Sequence, residues 1–251
     1  MLASRLLRTI RQQQQVVRPT ARFASRAMSA KMNIERDGTV TITPTSPTAA
    51  VVFMHGLGDT AHGWSDAMAS LSKELPHVKF ILPTASNKPV TLNMGMRMPS
   101  WYDITSLSKT EGDENKGIEE SVDLVTALIE KEVAAGIPYS RIVLGGFSQG
   151  GAMTYFTGYQ MTKALAGILV LSGYIPKMQA FAVSPEAKGV PALICHGDSD
   201  PVVRFQWGQM SVQKLQDAGV DLQFRVYNGM EHSMCLEELN DIKHWLKTII
   251  P

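Results

Sequence analysis

The sequence predicts an α/β protein, in which a mostly parallel central sheet carries helices on both faces. Three observations support this prediction. Short apolar segments alternate with amphipathic helical segments along most of the chain, which is the pattern of βαβ units. The strand segments are apolar at nearly every position, as in sheets that are covered on both faces. Polar and glycine-containing turns follow several of these strands, where ligands bind in parallel sheets.

Length and composition agree with a single globular unit. The chain has 251 residues, 44% of them hydrophobic and 19% charged, as in ordinary globular domains. No stretch rich in Pro, Gly and Ser separates two cores, so we predict one large domain. No apolar run approaches the roughly 18 residues that a membrane span requires, and we therefore predict no transmembrane segment.

The first 34 residues differ in charge from the rest of the chain. They hold seven basic residues and no acidic one, and the first carboxylate is Glu35. Without those seven, 17 basic and 23 acidic residues remain, a net charge of −6, which argues against nucleic acid as a partner. An arginine-rich, acid-free segment whose apolar residues can share one helical face is typical of a mitochondrial transit peptide. We predict a leader over residues 1–34 and one domain over residues 35–251.

The compartment depends on where translation starts. Translation from Met1 predicts a mitochondrial protein, because the product then carries the leader. Translation from Met28 or Met32 removes the basic segment, and a cytoplasmic protein is then expected. A tail without fixed structure is the remaining alternative for these residues.

The individual elements follow from hydrophobic periodicity. Strands are predicted at 39–43, 51–54 and 78–82, in the apolar run that begins at Ile142, and at 168–171, 192–195 and 222–227. Helices are predicted at 64–75, 118–129, 152–159, 203–218 and 236–249. Pro76 and Gly219 stop the first and the fourth of these helices. Residues 83–117 show no sustained helical period, which makes a long connection for a compact domain.

The segment 141–151 contains the motif on which the functional prediction rests. An apolar strand leads into Gly146-Phe147-Ser148-Gln149-Gly150, and a segment of helical character follows. A nucleophilic serine needs this strand, sharp turn and helix, because the turn lifts its hydroxyl above the sheet edge. The tight turn leaves no room for a Cβ at Gly146 and Gly150. We predict that Ser148 is a catalytic nucleophile; the alternative is an ordinary glycine-rich turn.

A serine nucleophile requires a histidine base and a carboxylate that orients this base. In α/β hydrolases the acid and then the histidine follow the serine along the chain, which leaves His232 and His244. His244 lies two positions from Ile242 on the last helix and is therefore turned to solvent, whereas His232 lies in a loop after the last strand. We predict His232 as the base. Spacing alone leaves both Asp198 and Asp200 open as the acid.

The reaction also requires backbone N–H donors for the oxyanion of the tetrahedral intermediate. Gln149, directly after the nucleophile, supplies one of these donors. The turn His55-Gly56-Leu57-Gly58-Asp59 follows an earlier strand, and the N–H of Leu57 between two glycines is the predicted second donor.

Together these segments resemble the acyl-protein thioesterases, a group within the lysophospholipase/carboxylesterase family of α/β hydrolases. The resemblance covers residues 48–250 and rests on five segments in order, at 53–59, 90–104, 141–151, 196–202 and 229–233. It implies the α/β-hydrolase fold and hydrolysis of thioesters and esters. Carried over position by position, it implies Ser148 as nucleophile, His232 as base and Asp200, before Pro201, as the acid. Leu57 and Gln149 take the oxyanion roles.

The connection 83–117 is the predicted substrate-binding segment. Met94, Met96 and Met98 alternate at a period of two, so an extended segment would place all three on one side. Flexible thioethers suit an adaptable surface for an acyl chain, and the resemblance implies a lid and an acyl channel in this region. A hairpin that simply packs on the core is the alternative. The predicted substrate-binding residues are Leu92, Met94, Met98, Trp101 and Val202.

Three functions are compatible with the sequence. The first is hydrolysis of long-chain acyl thioesters on S-acylated, palmitoylated protein cysteines. The second is a carboxylesterase or lysophospholipase that acts on lipid or small acyl esters with the same triad. The third is a binding module on a catalytically inactive hydrolase scaffold, which the intact Ser148, Asp200 and His232 disfavour. No motif implies a metal or another cofactor, and at most a transient contact with a membrane surface is expected.

Overall fold

The computed structural model of the protein describes residues 30–106 and 114–251. The predicted leader therefore lies almost entirely outside the described residues, and both its role and the compartment stay predictions. The described strands are β1 Lys31–Ile34, β2 Val40–Thr43, β3 Ala49–Met54, β4 Val78–Leu82, β5 Asn87–Val90, β6 Met96–Pro99, β7 Ile142–Phe147, β8 Gly167–Leu171, β9 Ala192–Gly197 and β10 Leu222–Tyr227. The described α-helices are α1 Ala61–Glu74, α2 Ile118–Ala134, α3 Gln149–Gly158, α4 Phe205–Asp217 and α5 Leu236–Ile249.

Eight strands form one mixed sheet in the order β1-β2-β4-β3-β7-β8-β9-β10. The six strands from β4 to β10 in this order are parallel, whereas β1 and β2 pair in antiparallel fashion at one edge. The predicted α/β class, with a mostly parallel sheet and helices on both faces, is confirmed. Each predicted strand and helix is present, with boundaries shifted by a few residues.

Strand β3 explains how one sheet supports two cores. Alternate residues of a strand point to opposite faces, and all six residues of β3 are buried. Ala50, Val52 and Met54 pack with α2, α3 and α4, while the other three residues pack with α1 and α5 on the opposite face. Full burial of an aliphatic side chain contributes about 1.5–3 kcal/mol, so the strand without polar positions is fixed at the centre of the sheet.

One strand that the sequence pattern did not predict precedes the first predicted strand. Strand β1 pairs with β2 from Lys31 to Ile34, so the sheet includes four residues that the predicted boundary at residue 35 assigned to the leader. All four residues of β1 are exposed. Lys31 to Ile34 do alternate between polar and apolar side chains, but over four residues only, the shortest stretch that indicates a strand. The sequence analysis placed them in the leader because the segment without acidic residues extends to Ile34.

The long connection between β4 and α2 contains a small second sheet. Strands β5 and β6 pair in antiparallel fashion, with Val90 opposite Met96 and Asn87 opposite Pro99. A short 3₁₀-helix at Thr91–Asn93 joins them. Residues 107–113 of this connection lie outside the described residues. The base of this hairpin, at Pro99 and the residues after it, returns to the carboxyl ends of β3 and β7.

Candidate active site

Ser148 occupies the sharp turn between β7 and α3. Its backbone has φ 55° and ψ −117°, a conformation that a side chain other than glycine adopts only under strain. A Cβ on Gly146 would lie 2.4 Å from the backbone of Gly150, and a Cβ on Gly150 would lie 2.2 Å from the carbonyl oxygen of Met54. The two glycines therefore let strand β7 and helix α3 approach closely enough to hold Ser148 in the strained turn.

This crowding leads to a prediction about stability. We expect Gly150→Ala to lower the free energy of unfolding by about 3 kcal/mol, because the new methyl group would collide with the backbone of β3, which cannot move aside cheaply. Gly189→Ala is the matched control: nothing lies within 4 Å of its added Cβ, so a change below about 1 kcal/mol is expected. Urea unfolding of the two variants measures the difference. Equal stabilities would contradict the packing argument.

The side chains of Ser148, His232 and Asp200 form one hydrogen-bonded chain. The hydroxyl of Ser148 lies 2.9 Å from Nε2 of His232, and Nδ1 of His232 lies 2.7 Å from Oδ2 of Asp200. Because a carboxylate only accepts hydrogen bonds, Nδ1 carries the proton of the neutral ring and Nε2 is the acceptor for the serine hydroxyl. The structure thus brings together three side chains from the ends of β7, β9 and β10.

Asp200 is oriented by the backbone that follows it. Its Oδ1 accepts hydrogen bonds from the N–H groups of Val202 and Val203, at 2.8 and 2.9 Å. Its side chain is fully buried. Three donors therefore satisfy this buried carboxylate, with Oδ2 left for the histidine, as a buried charge requires.

The alternatives that spacing left open lie elsewhere. Asp198 is exposed, and its Oδ1 accepts from the N–H of Gly229 at 2.7 Å and from the hydroxyl of Ser199. It therefore braces the loop that carries His232 without bonding to the ring. His244 is exposed on α5, as its position relative to Ile242 predicted. The ring of His232 packs on Phe147, with centroids 4.6 Å apart, which helps to hold it toward Ser148.

His196 is a neighbour of this chain that the sequence analysis assigned no role. The residue is fully buried, its Nε2 donates to the carbonyl oxygen of Val203 at 2.8 Å, and Oδ2 of Asp200 lies 3.6 Å away. Burial lowers the pKa of His196, and the contacts with Val203 and Asp200 only partly offset this. The ring therefore stays neutral near pH 7 and does not neutralise Asp200. Its spacing of four residues before Asp200 was the available signal.

The two predicted oxyanion donors flank Ser148. Gln149 begins helix α3 directly after the serine. Gly56 lies opposite, since a Cβ on Gly56 would be 3.2 Å from Cβ of Ser148, and this contact brings the adjoining Leu57 turn to the serine. Among the described residues, neither the N–H of Leu57 nor that of Gln149 has a hydrogen-bond acceptor. Both N–H groups are therefore available to a substrate oxygen, and their oxyanion roles stay predictions.

His55 fixes the peptide that carries the Leu57 donor. The N–H of Ala85 donates to Nε2 of His55 at 3.0 Å, so the proton of the neutral ring is on Nδ1, which donates to the carbonyl oxygen of Gly56 at 2.7 Å. That carbonyl and the N–H of Leu57 belong to one planar peptide and point in opposite directions. Burial lowers the pKa of His55 to about 4, so the ring is neutral. The sequence analysis did not assign this role.

The predicted substrate-binding residues do not share one surface. Trp101 is 1% exposed and its indole N–H donates to the carbonyl oxygen of His55 at 2.8 Å, so its side chain packs in the core and its substrate-binding role stays a prediction. Met94 is 85% exposed and has left-handed backbone with φ 55°, which takes it out of the strand. Only Met96 and Met98 alternate along β6, so the expected row of three methionines does not form.

The other three predicted substrate-binding residues lie nearer the site, and their roles also stay predictions. Met98 lies near the oxyanion turn, because a Cβ on Gly58 would be 3.6 Å from its sulfur. Leu92 is half-buried and packs against the core beneath the hairpin. Val202 is half-buried beside Asp200, to which its N–H donates.

The described residues form neither a metal site nor a membrane-spanning helix. Within residues 30–106 and 114–251, no three His, Cys, Asp or Glu side chains are grouped so that they could hold a metal ion. Within the same ranges, no helix has the length and apolar character that a membrane crossing requires.

Comparisons with known proteins agree on the family. The family model described as Phospholipase/Carboxylesterase matches residues 37–250. The acyl-protein thioesterase 1 of Neurospora crassa is 44% identical over 215 residues, covering 81% of this chain and 88% of that protein. The protein of the same name from Mycosarcoma maydis is 41% identical over 233 residues, covering 85% and 97%. The crystal structure of Zea mays acyl-protein thioesterase 2 matches with a TM-score of 0.74 at 30% identity, covering 85% of this chain and 99% of that chain.

Proposed function

The chain is a hydrolase of the phospholipase/carboxylesterase family, and from this premise we propose that it cleaves long-chain acyl thioesters from S-acylated protein cysteines. The observation that carries the proposal is the hydrogen-bonded chain from Ser148 through His232 to Asp200. The reaction also requires hydrogen-bond donors for the oxyanion, and the backbone N–H groups of Leu57 and Gln149 supply them in this proposal.

In the first half of the reaction, Ser148 is acylated. Oγ of Ser148 attacks the carbonyl carbon of the thioester while Nε2 of His232 takes the hydroxyl proton. Negative charge moves to the carbonyl oxygen, which accepts hydrogen bonds from the N–H groups of Leu57 and Gln149. Each such donor contributes about 3–4 kcal/mol of transition-state stabilisation. The intermediate collapses with loss of the cysteine sulfur, which takes the proton from His232.

In the second half, water releases the fatty acid. His232, neutral again, takes a proton from a water molecule as its oxygen attacks the acyl carbon on Ser148. The same two N–H groups hold the oxyanion. Collapse breaks the bond to Oγ, which recovers its proton from His232. Asp200 remains ionised throughout and stabilises the imidazolium that forms in each half.

Two considerations support a long-chain thioester as the substrate. The proteins from Neurospora crassa and Mycosarcoma maydis carry the name acyl-protein thioesterase 1. The hairpin β5–β6 also adds apolar surface next to the oxyanion turn through Met98, and flexible thioethers adapt to chains of different shape. The alternative is a carboxylesterase or lysophospholipase, because an oxygen ester of the same acid gives the same acyl-enzyme.

The two substrate classes can be separated kinetically. We expect kcat/KM for a palmitoylated peptide to exceed that for a lysophospholipid by at least about tenfold, because a thiolate leaves more readily than an alkoxide and acylation is then faster. Release of thiol and of fatty acid is measured for each substrate, with Ser148→Ala as the blank. A ratio that strongly favours the phospholipid would replace the thioesterase proposal by the lysophospholipase alternative. A Ser148→Ala protein that keeps its full cellular role would instead favour the binding module.

A further inference from the structure

The side chain of Gln149 is buried, and its hydrogen bonds to the described residues all go to one neighbouring segment. Gln149 is 1% exposed. Its Oε1 accepts from the backbone N–H of Trp101 at 3.0 Å, and its Nε2 donates to the carbonyl oxygen of Tyr102 at 2.7 Å and lies 3.1 Å from Oγ of Ser100. One amide thus holds the segment Ser100–Tyr102, about 50 residues away in the chain, at the start of helix α3.

That segment in turn holds the turn that carries the Leu57 donor. It follows directly on Pro99, whose carbonyl oxygen accepts from the N–H of Gly58 at 2.9 Å. The indole N–H of Trp101 donates to the carbonyl oxygen of His55. Hydrogen bonds therefore reach both residues that flank the Gly56–Leu57 peptide. The chain of contacts runs from the helix that bears one oxyanion donor to the turn that bears the other.

We propose that Gln149 acts through its side chain as a positioning residue, which sets the distance between the two oxyanion donors by clamping the base of the β5–β6 hairpin onto helix α3. The proposal deepens the proposed function and rests on it, because it concerns the same oxyanion site. The backbone N–H of Gln149 is one donor, and the amide of the same residue positions the other donor, at Leu57.

Further contacts hold the segment from the opposite side. Nζ of Lys88 lies 3.2 Å from the carbonyl oxygen of Trp101, and the hydroxyl of Ser121 donates to the same oxygen. Lys88 lies on β5 and Ser121 on α2, so these bonds fix the segment to its own hairpin and to α2, but not to the nucleophile helix. Without the Gln149 amide, the segment would stay bonded to β5 and α2. It could then shift relative to Ser148.

The amide of Gln149 accepts one hydrogen bond from Trp101 and donates another to Tyr102. A carboxyl group, whose ability to donate depends on pH, therefore tests the proposal. A carboxyl group in its place can accept from Trp101 in either state but can donate to Tyr102 only when it is protonated. Burial beside a carbonyl oxygen raises the pKa of a carboxyl. With Gln149→Glu, the clamp should thus be present at low pH and be lost as pH rises through that pKa. A methionine side chain has a similar length and can form neither bond.

The experiment measures hydrolysis of 4-nitrophenyl acetate by the full chain from pH 6 to 9. For Gln149→Met we expect kcat to fall about 100-fold with KM changed less than threefold, since a displaced oxyanion donor costs transition-state stabilisation. For Gln149→Glu we expect activity relative to the unchanged protein to fall at least tenfold between pH 6 and pH 9. The control Gln160→Glu alters an exposed amide just after helix α3, whose Nε2 donates to the carbonyl oxygen of Phe156, and its relative activity should be flat.

Specific outcomes would overturn the clamp. A wild-type kcat for a folded Gln149→Met protein would show that the amide is not needed. A flat relative activity for Gln149→Glu would assign the residue to packing, and this measurement decides the question even if the methionine variant does not fold. Failure of the proposed function is separate, because it would appear as a kcat/KM ratio that favours the lysophospholipid. The aryl-ester measurement does not depend on that ratio, since both substrate classes form the same acyl-enzyme on Ser148.

Discussion

Ser148→Ala should lower kcat about a millionfold on any acyl substrate, which is the loss seen when the nucleophile of a serine hydrolase is removed. The hydroxyl lies 2.9 Å from Nε2 of His232, and within the described residues no second hydroxyl contacts that nitrogen. Water cannot take its place efficiently, because the acyl-enzyme would no longer form. The measurement is the initial rate on a thioester and on an aryl ester, corrected for spontaneous hydrolysis.

The control for this prediction is a serine in the same region. Ser199 is exposed, lies next to Asp200 in the chain and donates its hydroxyl to Asp198. Ser199→Ala should keep kcat within about threefold, and both variants should unfold at nearly the same urea concentration. Residual activity of Ser148→Ala above a thousandth of the unchanged protein would show that another group forms the acyl-enzyme.

The parts of the site that the sequence predicted are those encoded locally. A buried strand, a glycine-flanked serine and a helix are adjacent in sequence at 142–158, and their hydrophobic pattern fixes their order. Chain order then leaves His232 and His244, and the position of His244 on the last helix excludes it without any knowledge of distance. The carboxyl ends of neighbouring parallel strands meet at one sheet edge, so the convergence of the three loops followed from the fold class.

The features that the sequence did not predict depend on contacts between distant residues. The amide of Gln149 reaches Trp101, and the ring of His55 reaches Ala85, and neither pairing has a periodic signal. Trp101 was expected at a substrate surface, but its indole N–H bonds to His55 and the side chain fills the core. Met94 was expected in an extended strand, but Gly95 after it allows a left-handed turn, and both residues have positive φ.

The choice between Asp198 and Asp200 illustrates the same limit. Both residues follow strand β9 and differ in position by only two, so spacing alone left both open. The resemblance to the acyl-protein thioesterases implied Asp200, and in the structure it is Asp200 whose carboxylate lies 2.7 Å from His232. What separates the two aspartates is the turn after Asp200, where the N–H groups of Val202 and Val203 capture one oxygen and direct the other to the histidine.

Asp200→Asn should lower kcat about ten-thousandfold near pH 8, because the amide would force the wrong tautomer on His232. The N–H groups of Val202 and Val203 can bond only to an oxygen, so the amide oxygen would take the place of Oδ1 and the NH₂ group would face Nδ1. Nδ1 must then accept, and the ring proton moves to Nε2, where it blocks transfer from Ser148. The geometry would change little, so KM should stay within about threefold.

The matched substitution Asp198→Asn tests whether this loss belongs to the tautomer or to the loss of a charge. Asp198 accepts from Gly229 and Ser199 through one oxygen, Oδ1, and an asparagine oxygen can accept both bonds. The charge change is identical and lies two residues away, so a kcat within about fivefold of the unchanged protein is expected. Comparable losses in both variants, measured on the same aryl ester, would mean that the negative charge of the loop matters and that Asp200 does not set the state of His232. A loss confined to Asp200→Asn would show that Asp200 orients His232. The backbone holds Oδ1 of this carboxylate, and Oδ2 faces the histidine ring.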